Sequence, residues 1–165
     1  DKHVYLVMEY IPGLSLYQYL KTVPLWRINQ EEVKRIIKQI LNAVHYFHKR
    51  SICHWDLQLE NMLLDSKKNV KLIDFGFATL ASNRKLNNYC GTPSYMAPEI
   101  LIKADYSGFA ADIWSCGVIF FVLLTGQYPF KSMLEKDLFK QIQWNQYTYP
   151  DFVDEDAKCF LDQIF

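Results

Sequence analysis

The sequence has no closely spaced cysteine pair. Its four cysteines, Cys53, Cys90, Cys116 and Cys159, stand far apart. This argues against a disulfide framework and fits free thiols in a reducing compartment, so the expected location is intracellular, in cytoplasm or nucleus. An excess of one charge is also missing. Lys and Arg total 18, Asp and Glu total 18, and the formal net charge is zero. Nothing in that balance recruits nucleic acid or an acidic membrane surface. No basic stretch followed by an apolar run opens the chain, so no signal peptide is read. The longest apolar run, Gly117 to Leu124, is too short to span a bilayer even when extended back to Ile113. Its all-round apolarity predicts a helix buried in a core. Internal repeats and low-complexity segments are absent.

What is present suits one packed domain. Half of the 165 residues are apolar, with Tyr and Phe abundant, so a sizeable core is expected. The fold class read from the pattern is mainly α with a few short strands. His3 to Tyr10 reads as a strand, dense in Val, Tyr and Leu and stopped by Pro12-Gly13. A short helix is expected over Leu14 to Thr22. A long one is expected over Gln30 to Arg50, where Val33, Ile36, Ile37, Ile40, Leu41, Val44 and Phe47 recur at helical spacing. Asn29 is a good N-cap there, and Glu32 completes a capping-box pattern. Met62 to Asp65 and Val70 to Ile73 flank the polar Ser66-Lys67-Lys68-Asn69, which predicts a hairpin. Helices over Glu135 to Gln143 and Glu155 to Phe165 finish the chain. His45, His48, Cys53 and His54 lie close in sequence, yet no second ligand pair accompanies them, so zinc is not expected.

Three motifs carry the chemistry. In order they are His54-Trp55-Asp56-Leu57-Gln58-Leu59-Glu60-Asn61, Asp74-Phe75-Gly76 and Ala97-Pro98-Glu99. They place a carboxylate base, an amide ligand and a second carboxylate ligand at the spacings that phosphoryl transfer from Mg-ATP requires. Taken singly, such Asp and Asn residues more often shape turns. The hairpin puts Asn61 just before one strand and Asp74 just after the other, so both emerge at one end.

The three motifs together resemble the eukaryotic protein kinase family; Gly91-Thr92-Pro93-Ser94-Tyr95 resembles its Ser/Thr form, and the run from Leu123 to Phe130 resembles most closely its calmodulin-dependent and AMP-activated kinase-like group. The resemblance implies the large C-terminal lobe of the kinase fold over residues 14–165, cut short at its C-terminal end. Residues 1–13 would be the last small-lobe strand and hinge, with the rest of the small lobe absent. It implies ATP and Mg as cofactors and a protein Ser or Thr hydroxyl as substrate. Asp56 is then the base, Asn61 and Asp74 are the Mg ligands, and Thr92 bonds to Asp56 and seats the acceptor. Met8 is the gatekeeper, the backbones of Glu9 and Ile11 meet the adenine, and Leu63 packs beneath it. His54 becomes a packed core histidine under Phe75, Gly76 completes its motif, Glu60 helps place the peptide, and Asp112 anchors the catalytic loop. A capping role for Asp112 near a helix start is the alternative.

Four departures qualify the resemblance. Gln58 stands where the family has a lysine near the γ-phosphate, and losing one such preorganised contact costs roughly 10²–10³ in rate. Trp55 stands where the family has an arginine that receives an activation-segment phosphate, and Asn88 stands where the phosphorylated threonine falls. Ser15 stands where basophilic relatives have a carboxylate. The resemblance puts the arginine partner of Glu99 in helices that follow residue 165, so within residues 1–165 Glu99 would lack it, which for a buried charge costs about 3–5 kcal/mol unless it turns to solvent. A catalytically weak or inactive pseudokinase or scaffold that binds partner proteins is therefore the alternative function.

Overall fold

A computed structural model describes residues 3–80, 91–102 and 106–165. The polar stretch from Ser82 to Asn88, and Cys90, lie outside the described residues. The first element is β1 (Leu14–Ser15), followed by α1 (Leu16–Thr22), α2 (Gln30–His48), β2 (Ile52–Cys53), β3 (Met62–Leu64), β4 (Val70–Leu72) and β5 (Thr79–Leu80). Then come α3 (Pro98–Leu101), α4 (Gly108–Thr125), α5 (Glu135–Gln143) and α6 (Glu155–Asp162).

α2 and α4 form the central packed pair. α2 is amphipathic: Val33, Ile36 and Ile40 are fully buried, each contributing about 1.5–3 kcal/mol by leaving water. α4 is apolar all round. It is long and apolar enough, by length and composition, to cross a membrane, although 72% of it is buried inside the protein. The apolar run that looked too short is thus the second half of a longer helix, which begins at Gly108 and carries Asp112 in its second turn. Asp112 therefore does not cap it.

The helix starts use different devices. Asn29 accepts the backbone N–H of Glu32 at 2.9 Å, capping α2. The Glu32 carboxylate does not return to the cap; it accepts from Tyr19 and Lys68 instead. The full capping box is at α1, where Ser15 accepts from Gln18 N–H at 3.2 Å and Gln18 accepts from Ser15 N–H at 3.0 Å.

β3 and β4 pair antiparallel as the hairpin, with Leu63 opposite Lys71, and β1 pairs with β3 on the other side. Gly13 makes that approach possible: a Cβ there would fall 1.7 Å from the carbonyl oxygen of Leu64. β2 pairs with β5. The expected strand over His3 to Tyr10 does not form. The segment pairs with no strand among the described residues, and Val4 and Val7 are 96% and 95% exposed. β-propensity marks a surface fit for pairing and does not hold a lone strand together.

Candidate active site

Two adjoining groups of residues make up the site. The first lines a cleft of about 940 Å³ formed by Leu6, Met8, Glu9, Tyr10, Ile11, Leu63, Lys71, Leu72, Ile73, Asp74, Phe75 and Gly76. The hairpin builds its floor, since residues opposite one another in an antiparallel pair share a face. Lys71 thus stands beside Leu63, and its ammonium reaches the Glu9 carboxylate at 3.3 Å. This exposed ion pair ties the 3–13 stretch to the hairpin with modest energy. The sequence reading passed over Lys71; the hairpin alternation that places Leu63 in the cleft also places Lys71 there.

Asp74 has a left-handed backbone, φ 59°, which is uncommon for a residue with a side chain. Its Oδ1 accepts the backbone N–H of Gly76 at 3.1 Å. A Cβ on Gly76 would sit 3.0 Å from the same oxygen, so glycine keeps this turn tight. Phe75 leans over His54, ring centroids 4.7 Å apart, and over Phe47 at 6.1 Å.

The second group surrounds Asp56. Asn61 Nδ2 donates to the Asp56 carbonyl at 2.9 Å and to its Oδ2 at 3.0 Å. Gln58 Nε2 also donates to Oδ2, at 3.0 Å. The Thr92 hydroxyl lies 3.2 Å from Oδ1 and donates to the Gln58 side-chain Oε1 at 2.9 Å. With both its donor bonds on Asp56, Asn61 turns its Oδ1 elsewhere, and that oxygen makes no hydrogen bond among the described residues. Asn61 itself is 7% exposed. The donors on offer are a carboxylate from Asp74 and a carboxamide oxygen from Asn61, the set a hard cation such as Mg²⁺ takes.

His54 couples the two groups. It is fully buried; its Nε2 meets the Ile73 carbonyl at 3.1 Å, and its Nδ1 meets the Asp56 N–H at 3.3 Å. A carbonyl can only accept and an N–H can only donate, so these two contacts call for the tautomer that carries its proton on Nε2. Beneath it, the Asp112 carboxylate is 1% exposed and fully engaged. Oδ1 accepts Trp55 N–H at 2.9 Å; Oδ2 accepts His54 N–H at 2.9 Å and meets His48 Nε2 at 2.8 Å. Those bonds hold Trp55 in a left-handed conformation, φ 66°, which turns the chain so that Asp56 faces Thr92. The Trp55 indole N–H is buried with no acceptor among the described residues.

Glu60 is exposed and Glu99 half-buried; neither lines the cleft. Glu99 makes no ion pair among the described residues.

Comparison with known proteins places this geometry in context. The protein kinase domain family matches residues 1–165. CBL-interacting protein kinase 31 of Oryza sativa subsp. japonica is 41% identical over 165 residues, which is 98% of this chain and 36% of that protein. CBL-interacting protein kinase 33 of the same organism is 42% identical, over 98% of this chain and 36% of that protein. CBL-interacting serine/threonine-protein kinase 15 of Arabidopsis thaliana is 38% identical, over 98% of this chain and 38% of that protein. The chain spans little more than a third of the length of these relatives. With a family match over its whole length, it belongs to the protein kinase domain family.

Proposed function

We propose that the protein is a Ser/Thr kinase that transfers the γ-phosphate of Mg-ATP to protein hydroxyls, and that this chain is the large lobe of its catalytic domain. The observation that carries the reading is the Asp56 cluster. A carboxylate is fixed by Asn61 and Gln58 on one oxygen and shares the Thr92 hydroxyl on the other. Positioning of that kind is most of what a protein contributes to phosphoryl transfer.

Bound Mg-ATP supplies the transferable phosphoryl group and the charge that offsets its oxygens. The chain does the rest. Leu63 and the backbone near Glu9 and Ile11 receive the base in the cleft. Asp74 and the Oδ1 of Asn61 hold the metal. Asp56 orients the acceptor hydroxyl and takes its proton, and Thr92 and Glu60 seat the peptide. Asp112, through the Trp55 and His54 N–H groups, keeps Asp56 in place. A small lobe closes the cleft from the side where Leu6 and Met8 are 79% and 75% exposed.

A second reading has a specific observation behind it. Gln58 brings no charge and occupies both Asp56 and Thr92, the groups the acceptor needs. A pseudokinase that keeps the lobe for binding partner proteins would tolerate this. Phosphorylation of a Ser/Thr peptide by the full-length protein decides between them. The kinase reading expects Mg-dependent transfer that Asp56→Asn lowers at least a hundredfold. Equal transfer by both proteins, or none by the wild type, rejects it.

A further inference from the structure

Three side chains capable of binding a soft metal converge below the catalytic loop. His48 from the end of α2, Cys53 from β2 and Asp112 from α4 bring their ligand atoms within 4.8 Å of one another. Nothing in the phosphoryl-transfer chemistry uses Cys53. The sequence shows no second ligand beside His48 and Cys53, because the one the fold supplies lies 64 residues from His48.

We propose that His48, Cys53 and Asp112 form an inhibitory zinc(II) site. The donor set of imidazole, thiolate and carboxylate is one zinc takes, with bonds of about 2.0–2.3 Å. Tetrahedral ligands at that radius stand about 3.3–3.8 Å apart, so the 2.8 Å contact of His48 with Asp112 must open slightly. The cluster meets solvent on one side only. Cys53 and Asp112 are 0% and 1% exposed, while the His48 side chain is 15% exposed. The imidazole, held edge-on against Phe109 at 4.8 Å, is the ligand that reaches solvent and can let the ion in. A second thiol adjoins the cluster: Cys116 is one turn along α4 from Asp112, and both it and Cys53 feel the Asp112 charge. Burial, and then that charge, push the Cys53 thiol up to about 12. The entering ion must displace its proton, which favours metals with strong thiolate affinity over Mg²⁺.

The functional consequence follows from what Asp112 holds. Its Oδ2 accepts the His54 N–H, two residues before Asp56. Zinc on that oxygen competes with the hydrogen bond and loosens the turn that aims Asp56. Inhibition therefore rests on the kinase reading, whereas metal binding does not.

Cadmium is the probe, because its thiolate complexes absorb in the ultraviolet. The titration uses the full-length protein with Cys90→Ser and Cys159→Ser, beside the same protein carrying Cys53→Val or His48→Gln. The expected result is a charge-transfer band saturating at one equivalent of Cd²⁺ and reversed by competing Zn²⁺. Cys53→Val loses the band, and His48→Gln weakens binding about tenfold or more. Zn²⁺ then inhibits peptide phosphorylation in the background protein and not in Cys53→Val. No band, or a band unchanged by both substitutions, overturns the site. If Cys53→Val does not fold, as circular dichroism shows, His48→Gln decides alone, and unchanged affinity there overturns it. A band without zinc inhibition in an active enzyme overturns the inhibitory role. If the protein transfers no phosphate at all, the kinase reading fails while the Cd²⁺ titration still decides the metal site.

Discussion

The carboxamide oxygen of Gln58 accepts the hydroxyl of Thr92 at 2.9 Å, while its NH₂ donates to Asp56 at 3.0 Å. One uncharged side chain thus bridges the candidate base and the residue expected to seat the acceptor. A lysine at this position keeps a donor for Asp56 and gives up the acceptor for Thr92, releasing that hydroxyl. It also brings a positive charge toward the transferred phosphoryl group. Gln58→Lys should therefore raise kcat by about tenfold or more. Steady-state peptide phosphorylation checks this, and an unchanged or lower kcat contradicts it.

Ser15, which stands where the resemblance expects a carboxylate, caps α1. It is 7% exposed, and both halves of its reciprocal bond pair with Gln18 are made. Ser15→Ala should destabilise the protein by about 1 kcal/mol, read as a lower midpoint of urea unfolding with unchanged slope. Ser15→Asp retains a capping oxygen and should recover most of the loss.

Tyr147 and Tyr149 both donate to Asp162 Oδ1 at 2.7 Å, clamping the segment after α5 to α6. The Tyr147 bond first, then the Tyr149 bond, hold the Asp162 carboxyl below its ordinary range. A carboxylate whose pKa is depressed on folding stabilises the protein fully above its unfolded pKa of about 3.9. The contribution is lost as the pH falls through the lower, folded value. Thermal melts of wild type and Asp162→Asn should thus differ at neutral pH and converge below about pH 4. A gap that persists undiminished into acid contradicts the clamp.

How much of this was legible in the sequence depended on the range of each interaction. α2 and the β3–β4 hairpin are set by local periodicity and turn residues, and both fall within two residues of where the pattern put them. α5 spans Glu135–Gln143, matching the expectation at both ends. The strand expected over His3 to Tyr10 failed because pairing is a property of two segments and propensity belongs to one. The capping box expected at Asn29 and Glu32 is half made because Glu32 meets Tyr19 and Lys68, contacts invisible in a local window. The capping alternative for Asp112 fails because α4 begins at Gly108, among residues with little apolar pattern. The three motifs identified the family, yet the bridging of Gln58 to Thr92 and the meeting of His48, Cys53 and Asp112 needed the fold.

The most direct test of the account is Mg-dependent ATP binding by the full-length protein, wild type beside Asp74→Asn. Asp74 faces the cleft and is the candidate metal ligand with a formal charge. Calorimetric titration with ATP, with and without Mg²⁺, should show binding that Mg²⁺ strengthens in the wild type. Asp74→Asn should abolish the Mg²⁺ effect. Mg²⁺-strengthened binding of equal size in both proteins would contradict the assignment of this cleft as a Mg-ATP site organised by Asp74.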